Sequence, residues 1–324
     1  MILIAGGSGF FGKNLSRCLA DRGEEVLLVQ RHSMNPPSFL APFWGKQVKQ
    51  ELGNILDLSL ILDLVQGYKV DAIVHAASET SGWFDLHPGA VLNPKGWHIR
   101  ERFEVEVIGT VNCLDATRLM GLQRMVFVSS VDNYRGLPHQ PEVFDEDAFL
   151  PPVAYSPDGN CKRAADMMGY MYAKGYGFEY ITVRLGSNYG IGCHSIINPM
   201  IEGALEGKEV DLHMFAANRR THAVNAKDSA EGTCALLLAK KPLEHHIYNL
   251  ACENPTMQEI ADTVKEVIPG AKIKLGPPSK EKADNLEYRP QSMERIEKEV
   301  SFSAMTLKQG IQHYAKFLKT GEYY

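Results

Sequence analysis

ILIAGGSGFFG, residues 2–12, begins as four apolar residues and ends with glycines at 6, 9 and 12. The apolar run reads as a buried strand. GKNLSRCLADRG (12–23) follows, with Leu15, Cys18 and Leu19 at helical spacing and Gly23 as the stop. A strand, a glycine turn and a helix in this order form a dinucleotide-binding opening. The glycines permit a tight turn and let a pyrophosphate approach the backbone at the positive end of the helix. A glycine triplet alone is a weak signal, but this one sits at the head of an alternating chain.

Outward from that stretch, strand and helix alternate. Strands are expected at EEVLLVQR (24–31), VDAIVHAAS (70–78), RMVFVSS (124–130) and FEYITVRLG (178–186). Helices are expected at LDLSLILDLVQGY (56–68), FEVEVIGTVNCLDATRLMG (103–121) and CKRAADMMGYMYAKGYG (161–177). This rhythm predicts an α/β, Rossmann-type doubly wound parallel sheet with helices on both faces over residues 1–190. It changes near 190. INPMIEGALEGKEV (197–210), TMQEIADTVKEVIPG (256–270) and MTLKQGIQHYAKFL (305–318) read as helices, the second with a Thr256/Glu259 capping box. IYNLA (247–251) and AKIKLG (271–276) read as strands. Residues 191–324 are therefore expected to form a smaller substrate-binding lobe, with late segments returning to the first domain. The Gly/Pro-rich segment 79–102, with Trp83, Phe84 and Trp97, is long enough to read as a functional loop.

The bulk numbers fit a soluble globular chain. It has 324 residues, 44% hydrophobic and 23% charged, and a net charge of −5. No basic block points to nucleic acid or an anionic membrane, and no apolar run approaches the roughly 20 residues of a membrane span. MILIAGG lacks the basic start of a signal peptide. The six cysteines show no metal-ligand spacing and read as reduced thiols. A cytoplasmic location is the expectation.

The end of the second strand selects the cofactor. An acidic residue there would hold the ribose 2′-hydroxyl of NAD. The chain has Gln30 and then Arg31, which would pair with a 2′-phosphate, so NADP(H) is expected over NAD.

Together, several stretches resemble the extended short-chain dehydrogenase/reductases of the sugar-nucleotide epimerase/dehydratase type. GGSGFFG resembles that family's GxxGxxG motif, which implies cofactor contacts from Gly6, Gly9, Phe10, Phe11 and Gly12. GNILD (53–57) resembles its adenine-contacting turn, implying Asn54 and Ile55. HAAS (75–78) resembles the motif beside the cofactor, implying Ala76 and Ala77. VIGTVNCLDA resembles the family's NVxGTxNLLEA helix, with Glu106 at the usual asparagine position. VFVSSVDNYRG implies Ser130 as the catalytic hydroxyl, and CKRAAD implies Lys162 as the active-site lysine that also holds the nicotinamide ribose. RLGSNYGIG resembles the segment covering the nicotinamide, with Ser187 at the usual asparagine position and Ile191 replacing a proline. THAVNAKDSAEG resembles a late family segment with Asp228 as its aspartate. The resemblance covers essentially the whole chain. It implies a homodimer packed through helices 103–120 and 160–175, consistent with the apolar Met167, Met168, Met171 and Tyr172. The family's GDG turn is absent, so the implied sugar nucleotide competes with a smaller hydroxy-ketone or an apolar ketone as substrate.

In that family the lysine belongs to YxxxK, whose phenol passes a proton to or from the substrate oxygen. Four residues before Lys162 stands Asp158. An ordinary aspartate ionises near pH ~3.9, and a nearby lysine would lower that further. Asp158 would then be a poor acid and a weak base unless burial raised its proton affinity. Four readings stay open. Another phenol, Tyr155 or Tyr134, replaces the tyrosine. The chemistry has moved to proton abstraction in an elimination or epimerisation, with Asp158 or Asp132 as base; Asp132 lies two residues after Ser130, where the family's dehydratases carry an acidic residue. The chain is a dinucleotide-binding regulator of little catalytic power. Or Asp158 disables an otherwise ordinary enzyme.

Overall fold

The computed structural model describes residues 1–79, 98–135, 141–150, 152–154, 156–279 and 289–324. Tyr155, Trp83, Phe84 and Trp97 lie outside them. In chain order the first part holds β1 (Ile2–Ala5), α1 (Phe10–Asp21), β2 (Val26–Gln30), β3 (Val48–Leu52), α2 (Leu58–Tyr68) and β4 (Ala72–His75). Then come α3 (Ile99–Phe103), a π-helical turn at Glu104–Ile108, α4 (Gly109–Leu119), β5 (Arg124–Ser130), α5 (Pro157–Tyr176) and β6 (Glu179–Leu185). The remainder holds β7 (Asn188–Tyr189), α6 (Asn198–Leu205), β8 (Glu209–Ala216), β9 (Val224–Asn225), α7 (Ala226–Leu237) and β10 (Ile247–Leu250). It ends with α8 (Met257–Val267), β11 (Lys272–Gly276), α9 (Glu294–Val300) and α10 (Leu307–Thr320).

Seven strands form one parallel sheet in the order β10-β6-β5-β4-β1-β2-β3. The chain steps one way from β1 to β3 and the other way from β4 onward, so the order reverses between β1 and β4. Ligands of open α/β sheets bind at such a reversal, beyond the carboxyl ends of the strands. Both faces are covered. Ile2 and Ile4 of β1 join the core that includes Leu15, Cys18 and Leu19 of α1, while Leu3 and Ala5 join the core under α2 and α4. That two-sided burial is why the strands read as continuous apolar runs rather than alternating ones. The expected α/β fold is thus present.

Several elements escape the sequence reading, the short α3, β7 and β9 among them. β3 is an edge strand whose sequence, VKQEL, buries only Val48. β8 is mostly exposed and pairs with β11 in a separate two-stranded sheet. α7 lies within a stretch read only as a motif, and it packs against α1. β10 adds to the edge of the main sheet beside β6. The capping box at Thr256/Glu259 is formed in both directions. Among the described residues no helix is long and apolar enough to cross a membrane.

Candidate active site

The glycine turn is shaped by close approach. Gly6 has φ +88°, and a Cβ there would lie 2.5 Å from the Ala77 nitrogen. A side chain is therefore excluded on both conformational and steric grounds. The turn thereby sits directly against Ala76 and Ala77, after β4. Gly9 caps α1 without a side chain to satisfy its first amides, and no acidic residue lies in the first turn. The helix start thus keeps its positive end for an anion, as a pyrophosphate requires. Phe11 is buried beneath the turn and Phe10 half-buried beside it. Beyond β3, Asn54 accepts from the Leu56 amide, and Asn112 of α4 donates to the Ile55 carbonyl at 2.9 Å, fixing the turn expected to meet a base. Gln30 is buried and bonded to Gln50, whereas the Arg31 side chain is 63% exposed, 3.9 Å from Glu79. Ser187 is exposed after β6. These residues fit a dinucleotide: a bare, cramped backbone cradle, an open helix start and an exposed cation at the end of β2.

α5 brings the chemistry. Ser156 caps it through the Gly159 amide, Pro157 opens it and Gly177 closes it with φ +81°. A Cβ on Gly159 would lie 2.8 Å from the Asp132 carbonyl oxygen. The first turn of α5 is thereby seated on the turn Val131–Tyr134 that follows β5. The Ser130 hydroxyl oxygen accepts from the Asp132 amide at 3.1 Å, which leaves its own proton to donate elsewhere. Asp132 is engaged by Arg135 at 2.9 Å and by the Ser156 hydroxyl at 2.6 Å. Tyr134 is fully buried, with its hydroxyl between Asn249 and Arg184. Held there, it is part of the framework and is not presented to a substrate.

Asp158 and Lys162, one turn apart on α5, do not pair with each other. Lys162 reaches across to Glu106 at 2.5 Å and donates to the Val128 carbonyl at 2.8 Å. Asp158 accepts from Arg102 at 3.2 Å. Arg102 and Glu106 stand four apart on one helical stretch, as do Asp158 and Lys162 on the other. Each residue takes its counter-charge from the facing helix. The four charges form two ion pairs that cross between the helices, and three of them are buried: Arg102, Glu106 and Lys162. Ser78 donates to the other oxygen of Glu106 at 2.5 Å. The π turn carries Glu106 into this position; its carbonyl at Val105 is met by the ring of His75, 3.1 Å away. Burial pushes His75 down to about 3, so the ring is neutral and donates.

This geometry corrects one expectation. A lysine one turn away was expected to depress Asp158. Burial instead pushes it up to about 6; Lys162 pulls the other way, but the carboxylates of Glu106 and Asp132 reinforce the rise, and Arg102 lowers it in turn. Arg102 is the residue that sequence reasoning missed. Its signal was available: an Arg-x-x-x-Glu (102–106) of opposite polarity and equal spacing to Asp-x-x-x-Lys (158–162).

The model of the NAD dependent epimerase/dehydratase family matches residues 2–251. The chain belongs to that family. Among curated relatives, an uncharacterized protein of Methanocaldococcus jannaschii is 26% identical over 266 residues, 78% of this chain and 76% of that protein. A dTDP-glucose 4,6-dehydratase of Mycolicibacterium smegmatis is 28% identical over 225 residues, 68% of this chain and 63% of that protein. For a UDP-glucose 4-epimerase of Lacticaseibacillus casei the match spans 50% of that protein. Among solved structures, a UDP-glucose 4-epimerase of Thermotoga maritima with UDP-glucose superposes with a TM-score of 0.79 at 20% identity, over 99% of both chains. A dTDP-glucose 4,6-dehydratase of Bacillus anthracis in complex with NAD gives 0.78 at 21%, over 99% of this chain and 97% of the other. These structures establish the epimerase/dehydratase fold.

Proposed function

We propose that this member of the epimerase/dehydratase family acts on a hydroxyl or carbonyl of a sugar nucleotide, with Asp158 in place of the family-type tyrosine. The observation that carries this is the environment of Asp158: partly open, in contact with Arg102, and raised to about 6. A phenol must be pulled down from about 10 to work near neutrality, and a carboxyl must be pushed up from about 4. Burial does the second here, so the group binds and releases a proton near working pH.

A dinucleotide held by its pyrophosphate at the glycine turn would supply a nicotinamide as hydride acceptor and donor. The chain's own residues do the rest. Asp158 takes the proton from the substrate hydroxyl as that carbon is oxidised and returns it on reduction. Ser130 donates its remaining proton to the same oxygen. Lys162 faces the ribose while Glu106 balances its charge. Asp132 and Tyr134 are bound into the framework and support Ser130 and Arg184. The Arg102 contact also weighs against Asp158 as an accidental change, because a buried cation is placed to meet it.

Residues 1–190 form the cofactor unit in this reading and 191–324 the substrate lobe, with β10 and α7 completing the sheet layer. The exposed Arg31 favours NADP(H) as the finer assignment. The chain works as a homodimer, supported by Met167 and Met171, which are 69% and 62% exposed on α5. The test is turnover of a sugar-nucleotide panel by the native chain, Asp158→Asn and Asp158→Tyr. Asp158→Asn should lose about 10²–10⁴-fold. A native chain that binds NAD or NADP and turns over nothing, with Asp158→Tyr active, would overturn the assignment to Asp158. Full activity in Asp158→Asn would do the same.

A further inference from the structure

We propose that Arg102 is the positioning residue of this site, holding the Asp158 carboxyl by direct contact from the facing helix while Lys162 is held by Glu106. This rests on the assignment of proton transfer to Asp158. Among the described residues, the charged and titratable groups that act on Asp158 can be placed. From its own helix come Lys162 and Cys161, the latter a neutral thiol pushed up to about 11 by burial. From the π turn comes Glu106, from α3 Arg102, and from the turn after β5 Asp132. Glu106 and Lys162 are in contact at 2.5 Å and act on Asp158 as an opposed pair. Asp132 is answered by Arg135 at 2.9 Å. Once those pairs cancel, Arg102 is the cation in contact with the Asp158 carboxyl, at 3.2 Å. Its side chain is only 4% exposed, so water screens the contact little. The contact takes one oxygen of Asp158 and fixes the carboxyl's direction from the neighbouring helix.

The consequence is a pair of opposite responses. Removing the Arg102 charge raises the proton affinity of Asp158. Removing the Glu106 charge takes away a nearby anion and leaves the pull of Lys162 on Asp158 unopposed, so the affinity falls. A residue that merely packed the helices together would produce neither.

The experiment is an NMR titration of the full-length protein labelled with ¹³Cγ-aspartate, the Asp158 signal being assigned by its loss in Asp158→Asn. The native midpoint is expected at about 6. Arg102→Gln should raise it by about one pH unit, a tenfold change in proton affinity. Glu106→Gln should lower it, and Arg102→Lys should stay near native. Should Arg102→Gln fold poorly, Arg102→Lys and Glu106→Gln still decide: a Glu106→Gln midpoint at or above native overturns the proposal. So does an Arg102→Gln midpoint equal to the native one. The readout needs no turnover. Shifted midpoints in a chain inactive on every sugar nucleotide would refute the function and leave this inference standing. Unshifted midpoints in an active enzyme that Asp158→Asn kills would do the reverse.

Discussion

Replacing Lys162 by Met should destabilise the fold by about 3–5 kcal/mol, the usual result of stripping one partner from a buried ion pair. Glu106 has no exposed side-chain surface, and its contact with Lys162 is 2.5 Å. Methionine keeps the stem that packs beside the Phe127 ring, over which the Lys162 nitrogen sits at 4.9 Å. What is lost is therefore the charge and the hydrogen bond to the Val128 carbonyl. The carbonyl accounts for about 1 kcal/mol, and the remainder is the carboxylate left buried without a cation. Adding Glu106→Gln removes that second part while preserving an acceptor for the Ser78 hydroxyl. The double variant should then lie only about 1–2 kcal/mol below the native chain and about 2–3 kcal/mol above Lys162→Met. Urea unfolding of the four proteins, followed by far-UV circular dichroism at pH 7.5, measures this directly. A double variant no more stable than Lys162→Met would refute the idea that the two charges answer each other. A Lys162→Met chain as stable as the native one would refute it more simply.

Three further outcomes are expected. Because Asp158 is raised to about 6, its ionised form is lost as pH falls through that value, so kcat/KM should drop about tenfold per pH unit below pH 6 and stay flat just above it; a profile with no limb in that region would count against Asp158 as the base. Gly12→Ala would bring a Cβ to 2.7 Å from Gly7 Cα and 2.8 Å from the Gly6 carbonyl oxygen, and binding of NAD or NADP by calorimetry should fall at least tenfold with the rest of the fold intact. Met171→Glu should convert a dimer to monomer in light scattering at micromolar concentration, since a charge placed in the middle of an apolar helix face cannot be buried there without a partner; a native chain that is already monomeric sinks the dimer.

The cofactor end was legible from the first dozen residues, because its requirements are local. A tight turn that excludes Cβ atoms can be made only with glycine, and the strand and helix on either side declare themselves by their apolar pattern. The parallel sheet was legible for a related reason: burial on both faces leaves runs such as VLLV and AIV that few other folds require. β3 was not, since an edge strand with one buried residue carries no such pattern. The charge cluster around Asp158 divides along the same line. The sequence by itself determined that Asp158 stands one turn before Lys162, on the same helix face, and that Glu106 replaces an asparagine. It did not reveal either partner across the helices, because spacing within one helix registers only neighbours on that helix. The tertiary structure decided that α3 and the π turn face α5, so that Arg102 meets Asp158 and Glu106 meets Lys162. It also decided the sign of the shift at Asp158. Burial, which depends on what packs around a residue, outweighs the lysine that the sequence places beside it.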